Sequence, residues 1–278
     1  MIPAGFDYQR ASSVDEAIAL LTEHGEDAKL LAGGHSLLPL MKLRLAVPAV
    51  LIDIGRVDEL AYVHAEDGEI RIGALSRHHD LAGSELLRDQ VPLLAEVAGQ
   101  VGDPQVRHRG TIGGSIAHGD PASDLPAVLL ALRATLVARG PGGTREILVD
   151  DFFSGFLETA LGADEVLTEI RVPAMADAGW SFQKFNRRAQ DWAIVGVAAV
   201  LSNGGGVTQP GVGLVNMAAT PVRAAGVEAA LGTGASATDA AARADEGTAP
   251  PDDLNASPDF RRHLSRVLVR RALEAAGA

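Results

Sequence analysis

Two glycine pairs, each followed closely by a hydroxyl residue, are the stretches of this sequence whose spacing could bind an anion. The first is Ala32-Gly33-Gly34-His35-Ser36, and the second is Thr111-Ile112-Gly113-Gly114-Ser115. Adjacent glycines leave the backbone without side-chain cover, so successive N–H groups can turn toward one anion, as in phosphate-binding nests. Neither stretch matches G-x-G-x-x-G or G-x-x-x-x-G-K-[ST], which disfavours a Rossmann nucleotide site and an ATP-hydrolysing P-loop. Two facing loops without a phosphate-binding lysine predict a diphosphate held between them by backbone dipoles, which favours a dinucleotide over a mononucleotide.

Each glycine pair adjoins elements that would hold it in place. An apolar strand over 28–32 leads into the first loop, and a short helical turn over 37–43 follows it. After the second loop, Asp124 and the serine before it are helix caps for a helix over 122–132. Strand, loop and helix in this order place backbone N–H groups where an anion is favoured.

Composition and charge restrict the possible functions. The chain has 278 residues, 47% of them hydrophobic, which is enough for two cores. The net charge of −12, with dispersed basic residues, argues against nucleic acid and anionic membrane surfaces as partners. Cysteine is absent, which excludes disulfides and cysteine-ligated iron–sulfur clusters on this chain. The N-terminus lacks a leader pattern and no apolar run reaches membrane-spanning length, so we expect a cytoplasmic protein without an integral membrane segment.

The order of apolar and turn segments predicts two small α/β units followed by a separate domain. The units cover about 1–56 and 57–174, and the Pro/Gly/Ala-rich stretch 173–179 is the expected boundary. In 179–278, three strands followed by three helices predict a small α+β domain. We find no convincing catalytic triad or metal-ligand cluster, and we expect neither a catalytic residue nor a metal site on this chain.

Four blocks of sequence carry a resemblance to a known family. They are the two glycine loops with 120–126, and the segments 184–196, 219–224 and 260–268, all in family order. In these blocks the chain resembles the FAD-binding medium subunit of the molybdenum hydroxylases, the carbon monoxide dehydrogenase and xanthine dehydrogenase family. The similarity runs nearly from end to end.

The resemblance implies an α+β fold and a role in electron transfer. The expected fold is a two-subdomain FAD-binding domain of the vanillyl-alcohol-oxidase (PCMH-like) type, with a small C-terminal α+β domain of a three-stranded sheet and helices. The expected function is a relay in which FAD on this chain receives electrons and reduces an external acceptor. A large partner subunit would carry a molybdenum cofactor and a small one two [2Fe–2S] clusters, assembled as a dimer of heterotrimers. The lack of cysteine agrees with clusters on a partner.

The resemblance also implies which residues bind the cofactor. Asp124 would accept a hydrogen bond from a sugar or ribityl hydroxyl, with a plain helix cap as the alternative. Trp192 would cover one face of the isoalloxazine, with core packing as the alternative. Some flavoproteins of this fold class carry FAD covalently on a histidine, but the resembling subunits do not, so His35 is expected to position the backbone. The expected set is Ala32, Gly33, Gly34, His35, Ser36, Thr111, Gly113, Gly114 and Ser115 at the diphosphate and ribityl region, Asp124, Leu167 near the flavin ring or adenine, Lys184 approaching the flavin, and Trp192.

Two other functions stay open at this point. A self-sufficient FAD oxidase or dehydrogenase is disfavoured because the segment after Gly179 is short for a substrate domain. A non-catalytic module is disfavoured because both glycine loops and Asp124 are intact. In the resembling family the molybdenum subunit selects the substrate. The segment 117–120 differs from the asparagine-rich version associated with carbon monoxide dehydrogenase, which argues against carbon monoxide and leaves aldehydes, purines and N-heterocycles open.

Overall fold

The computed structural model of the protein describes residues 2–201 and 209–278. Met1, which the sequence places at the start of the first subdomain, lies outside these ranges. The described strands are β1 (Asp7–Arg10), β2 (Ala28–Leu31), β3 (Val50–Asp53), β4 (Val63–Glu66), β5 (Glu69–Gly73), β6 (Thr135–Gly140), β7 (Gly143–Leu148), β8 (Phe153–Gly155), β9 (Glu158–Thr159), β10 (Val166–Pro173), β11 (Gly179–Phe185), β12 (Val195–Leu201), β13 (Gly211–Val215) and β14 (Val222–Arg223). The described helices are α1 (Val14–His24), α2 (Leu37–Lys42), α3 (His78–Gly83), α4 (Glu85–Gln90), α5 (Pro92–Gln100), α6 (Pro104–Arg109), α7 (Ile112–His118), α8 (Asp124–Leu132), α9 (Ala225–Gly232), α10 (Ala237–Ala241) and α11 (Pro258–Ala276).

The first sheet is parallel, in the order β1-β3-β2. Helix α1 covers it, because Ser13 accepts the Glu16 N–H as an N-cap and the apolar face of the helix is buried. Strand β1 was missed by the sequence analysis, since three of its four residues are exposed and give no apolar signal. Because all three strands run the same way, their carboxyl ends meet at one edge, and the first glycine loop begins there after β2.

The second sheet is antiparallel, in the order β4-β5-β10-β6-β7. Helices α3 to α8 lie between β5 and β6 in sequence, and every residue of α8 is buried. The second glycine pair lies in the first turn of α7 and not in a loop, because Thr111 caps this helix by accepting the Gly114 N–H at 3.1 Å. The sheet therefore places the start of α7 and the start of α8 on one side of the subdomain.

The third sheet is antiparallel, in the order β11-β12-β13-β14. The sequence predicted three strands, and the structure adds a fourth of two residues, Val222–Arg223, paired with Gly213 and Leu214. The difference arises because pairing with β13 keeps Val222 and Arg223 extended until α9 begins at Ala225. The expected helices follow the sheet, and α11 packs on β11 and β12.

The third sheet approaches α8 unusually closely. Gly211 and Gly213 on β13 face the backbone carbonyls of Ala131 and Ala127, and a Cβ at either glycine would overlap them. Glycine is needed at these two positions because only a backbone without a side chain can come so near a helix. Helix α8 thus connects the last domain to the second sheet. Within the described ranges no helix is both long and apolar enough to cross a bilayer.

Candidate functional site

A cleft of about 360 Å³ opens at the carboxyl edge of the first sheet. Its walls include Arg10, Leu31 and Asp53, which end the three parallel strands, together with the first glycine loop and Thr111. Ligands of open α/β sheets bind outside the carboxyl ends of the strands, where loops and helix starts surround a crevice. The geometry therefore joins the two glycine stretches, which are far apart in sequence, at one ligand-sized opening.

The first glycine loop has a run of free backbone donors. In the part of the chain that the structure describes, the N–H groups of Gly33, Gly34, His35 and Ser36 have no protein acceptor. Gly34 has a φ of 79°, in the left-handed region that favours glycine. A Cβ on Gly33 would overlap the carbonyl of Arg109, so the loop lies directly against the segment before α7. This loop has the properties of an anion-binding nest.

The second glycine stretch differs from the expected nest. The N–H groups of Ile112 and Gly113 donate to strand and loop carbonyls at 3.0 and 2.8 Å, and that of Gly114 donates to the Thr111 hydroxyl. A Cβ on Gly113 would lie 2.5 Å from the Cβ of Ala74, so this glycine allows α7 to pack at the end of β5. The expectation that both loops turn free N–H groups toward one anion was therefore wrong for the second, which reaches the cleft through Thr111.

Four arginines line the cleft, and the sequence analysis did not include them. They are Arg10, Arg56, Arg77 and Arg109. Guanidinium groups bind phosphate oxygens in bidentate geometry. The expectation of neutralisation by backbone dipoles alone was wrong, because the opening also carries side-chain positive charge. No sequence motif marks these residues, since they come from β1, the turn after β3, the residue before α3 and the end of α6.

Ser115 lies beside a buried histidine. Its Oγ is 3.2 Å from Nε2 of His78, which is 2% exposed and has no partner at Nδ1. Burial lowers the pKa of His78 to about 4, with a further contribution from the charges of Arg107 and His35. The imidazole is therefore neutral at pH 7. We assign its proton to Nε2, because an unpaired buried N–H is rarer than an unpaired acceptor. The Ser115 hydroxyl then accepts from His78 and is left to donate elsewhere.

Asp124 and Lys184 form a buried ion pair between the two domains. Asp124, at the start of α8, is 6% exposed, and its Oδ2 accepts from Lys184 Nζ of β11 at 2.6 Å. Burial raises the pKa of Asp124, and the ammonium group opposes that shift. Its Oδ1 is buried and has no partner among the described atoms. The carboxylate is thus not a plain helix cap, and an unsatisfied buried oxygen of this kind is rare without a ligand.

Two other expected site residues lie in contrasting environments. Trp192 is 58% exposed, in the turn between β11 and β12, so it does not pack in the core. Leu167 is 5% exposed, on β10, and belongs to the largest apolar core of the protein. His35 is exposed beside the cleft. Roles of Leu167 and His35 at a cofactor remain predictions.

Comparisons with known proteins agree with these features. Residues 4–175 match the family model for the FAD binding domain in molybdopterin dehydrogenase, and residues 180–276 match the CO dehydrogenase flavoprotein C-terminal domain. The carbon monoxide dehydrogenase medium chain of Hydrogenophaga pseudoflava is 45% identical, covering 100% of this chain and 99% of the relative. The 6-hydroxypseudooxynicotine dehydrogenase complex subunit alpha of Paenarthrobacter nicotinovorans is 37% identical, covering 98% and 95%. A solved structure of carbon monoxide dehydrogenase from Hydrogenophaga pseudoflava, which lacks the Mo-pyranopterin moiety, has a TM-score of 0.96 at 46% identity, covering 99% of this chain and 98% of that one.

Proposed function

Since this chain belongs to the family of FAD-binding medium subunits of molybdenum-containing dehydrogenases, we propose that it takes electrons from [2Fe–2S] clusters of a partner subunit and passes them from FAD to an external acceptor. The clusters are on a partner because this chain has no cysteine. A self-sufficient oxidase is not favoured, because relatives similar over almost the whole chain are named as chains or subunits of larger enzymes. A purely structural module is not favoured either, since both family domains match.

The observation that carries this proposal is the cleft at the carboxyl edge of the first sheet. Gly33 and Gly34, whose N–H groups are free, line one opening together with four arginines, and the free N–H groups of His35 and Ser36 follow in the same loop. That donor set fits a diphosphate, which needs several hydrogen bonds and positive charge at two adjacent phosphate groups. The buried, unpartnered Oδ1 of Asp124 fits a hydroxyl of a ribityl or sugar group. The residues present therefore fit FAD at its charged and its polyhydroxyl parts.

The residues of this chain bind and orient the cofactor, which supplies a two-electron carrier that also exchanges single electrons. Gly33 to Ser36, after Ala32, would donate backbone N–H groups, and Thr111, at the start of the stretch that ends at Ser115, completes the wall of the cleft. Asp124 would accept a hydroxyl hydrogen bond, and Lys184 orients that carboxylate. Trp192 would lie against the isoalloxazine, and Leu167 would lie near the flavin ring or the adenine. No group on this chain has to act as a nucleophile or general base.

The assembly and the boundaries are parts of the same proposal. A small iron–sulfur subunit and a large molybdopterin subunit bind this chain, in a dimer of heterotrimers located in the cytoplasm. The FAD-binding domain covers 1–174, with subdomains of about 1–56 and 57–174, and the C-terminal domain covers 179–278. The match of separate family models to 4–175 and 180–276, and the gap between β10 and β11, support this division. Cell fractionation tests the location.

The hydroxylated substrate is not assigned. Relatives named for carbon monoxide and for 6-hydroxypseudooxynicotine are both similar over nearly all of this chain. The sequence of 117–120 therefore does not count against carbon monoxide, because similarity in this subunit does not separate substrates.

Native purification through a tag on this chain tests the proposal. We expect flavin absorbance together with iron–sulfur absorbance, molybdenum and two further polypeptides. Single-turnover reduction by the substrate of the large subunit should bleach the flavin bands after the iron–sulfur bands. A lone flavin-containing polypeptide that oxidises an organic substrate by itself would overturn the proposal.

A further inference from the structure

The turn between β11 and β12 is ordered by its own polar groups. Asn186 Nδ2 donates to the carbonyl of Arg188 at 2.8 Å, and the Asp191 N–H donates to the same carbonyl at 3.0 Å. The turn closes where the Ile194 N–H donates to the carbonyl of Phe185 at 2.8 Å. Trp192 lies near the end of this turn and is mostly exposed, so burial does not fix its position. Whatever fixes its position must act through the backbone.

A buried arginine holds the backbone just after Trp192. Arg261 of α11 is 0% exposed and is the largest of the fully buried side chains. Its Nη1 donates to the carbonyl of Ile194, and its Nη2 donates to Asp253 Oδ2 at 2.8 Å. Asp253 is held in turn, because its Oδ1 accepts the N–H groups of Asn255 and Ala256. A guanidinium group fixed in this way presents a donor of defined direction to the turn.

An asparagine holds the neighbouring carbonyl from the other side. Asn216, after β13, has a φ of 61°, and its Nδ2 donates to the carbonyl of Ala193 at 2.9 Å. Its N–H donates to the carbonyl of Pro121 at 2.8 Å, in the segment that leads to Asp124. Asparagine tolerates this left-handed backbone better than most residues. Two successive carbonyls, of Ala193 and Ile194, are therefore held by donors from two different elements.

We propose that Arg261 and Asn216 are positioning residues that fix Trp192 against the flavin by holding the carbonyls of the two residues that follow it, Ala193 and Ile194. The inference rests on the proposed placement of Trp192 at the isoalloxazine. Asn216 also bonds to the carbonyl of Pro121, so the residue after Trp192 is joined to the segment before Asp124. Protein groups beside a flavin tune its reduction potential, so a displaced ring at Trp192 should change that potential.

Asn216→Gly is the most direct test, because glycine adopts the same backbone and keeps the N–H to Pro121 while the amide donor is lost. Reduction potential and visible circular dichroism of FAD are measured in the purified complex for Asn216→Gly, Trp192→Ala and the double variant. We expect each single variant to shift the flavin potential in the same direction. The double variant should match Trp192→Ala, because no aromatic ring is left at this position to be held in place. Arg261→Lys retains one donor and should shift the potential less than Arg261→Met.

Each other outcome has a defined meaning. If Trp192→Ala shifts the potential and Asn216→Gly does not, the role of Asn216 is overturned while the placement of Trp192 stands. If Trp192→Ala has no effect, the placement fails and the proposal for Arg261 and Asn216 fails with it. If the effect of Asn216→Gly persists in the Trp192→Ala background, the asparagine acts by another route and the proposal is overturned. Electron relay by this subunit is tested separately by the native purification.

Discussion

The Oδ1 atom of Asp124, which has no partner among the described atoms, offers the most direct test of how the site binds FAD. Asp124→Asn keeps the shape of the side chain and removes its charge. We expect FAD binding to weaken by about 1–2 kcal/mol, roughly tenfold in the dissociation constant, because one buried hydrogen bond is lost or reversed. Titration of the flavin-free complex with FAD measures this. Asp259→Asn, at a carboxylate that is almost fully exposed, is the control. Equal affinities would leave Asp124 with no role beyond pairing Lys184.

Buried His78 gives the stability of the protein a definite pH dependence. Its pKa is lowered to about 4 in the folded protein, whereas an unfolded histidine titrates near 6.5. Between these pH values the unfolded chain therefore binds more protons than the folded protein. The contribution of His78 to the free energy of unfolding is fully present above about pH 6.5 and is lost as the pH falls toward about 4. The loss amounts to about 3 kcal/mol.

Comparison with His78→Gln isolates this effect from the carboxylates. Burial raises the pKa values of Asp120, Asp124 and Glu228. These carboxyl groups therefore favour the folded state as the pH falls, and they do so equally in the wild type and in the variant. Urea unfolding at several pH values should show the wild type losing more stability than the variant on acidification. Parallel curves for the two proteins would contradict the assignment of a neutral histidine.

Among individual residues, the sequence indicated some of those at the candidate site and missed others. Asp124 and Lys184 were both expected at the cofactor, but their direct contact across sixty residues appears only in the fold. The four cleft arginines were not predicted, because an isolated basic residue in a turn or at the end of a strand or helix resembles any solvated charge. The sequence did not indicate the burial of His78 either, since that burial depends on α3 packing against α5 and α6.

Gly33 is the position at which the first glycine loop contacts the segment before α7, so the site should tolerate no side chain there. In Gly33→Ala the new methyl group would overlap the Arg109 carbonyl, so the loop must move away from the cleft. We expect loss of FAD retention and a stability loss of about 1–3 kcal/mol, as for other overpacked positions. Flavin content and urea unfolding are the measurements. Gly83→Ala, where a methyl group meets nothing, should behave as wild type. Full flavin content in Gly33→Ala would remove the loop from the site.

The close approach of β13 to α8 can be tested in the same way. In Gly213→Ala the new methyl group would overlap the backbone carbonyl of Ala127. We expect the free energy of unfolding to fall by about 1–3 kcal/mol or more, because neither a helix backbone nor a central strand can yield easily. Gly232→Ala, at the end of α9, has open space and is the matched control. Similar urea midpoints for both variants would show that β13 and α8 tolerate greater separation.

Among the elements, strong periodicity was the reliable signal. The strand expected over 28–32, the helical turn expected over 37–43 and the helix expected over 122–132 correspond to β2, α2 and α8. The start of α7 was not predicted, because a Gly-Gly pair lowers helix propensity and the cap provided by Thr111 depends on the helix being formed. The exposed strand β1 was missed because tertiary pairing with β3 decides its conformation.

A cluster of charges joins the two domains of the whole molecule. Arg223 pairs with Asp150 through two hydrogen bonds of 2.9 and 2.7 Å, and its Nη1 lies 3.6 Å from Glu228. Glu228 is also 3.0 Å from Arg133. Arg133 and Asp150 belong to the FAD-binding part, and the other two belong to the C-terminal part. These ion pairs therefore bridge the boundary that the sequence placed near 173–179.

Substitution of Arg223 should weaken these ion pairs between the two domains. Arg223→Gln leaves Arg133 as the one arginine beside the largely buried Glu228, so we expect the free energy of unfolding to fall by about 1–2 kcal/mol. The control is Arg262→Gln, which breaks an exposed pair within α11 and should change stability by less than about 0.5 kcal/mol. Equilibrium unfolding in urea compares the two. A larger effect at Arg262 than at Arg223 would contradict a role for the cluster in holding the domains together.

The family and overall architecture followed from the sequence because four motif blocks lie in the same order along the whole chain. The relative placement of the domains did not, because it depends on Gly211 and Gly213, whose role is visible only when α8 lies against them. The net negative charge of the chain did not indicate that four arginines gather at one cleft.

The ion pair between Asp124 and Lys184 has a consequence for the order of events during protein synthesis. A ribosome releases Asp124 long before it makes β11, and it makes Arg261 later still. A nascent chain that has folded only its first two sheets therefore holds Asp124 without its lysine partner. A chain truncated before β11 keeps that carboxylate without a counter-ion, however long it has to fold.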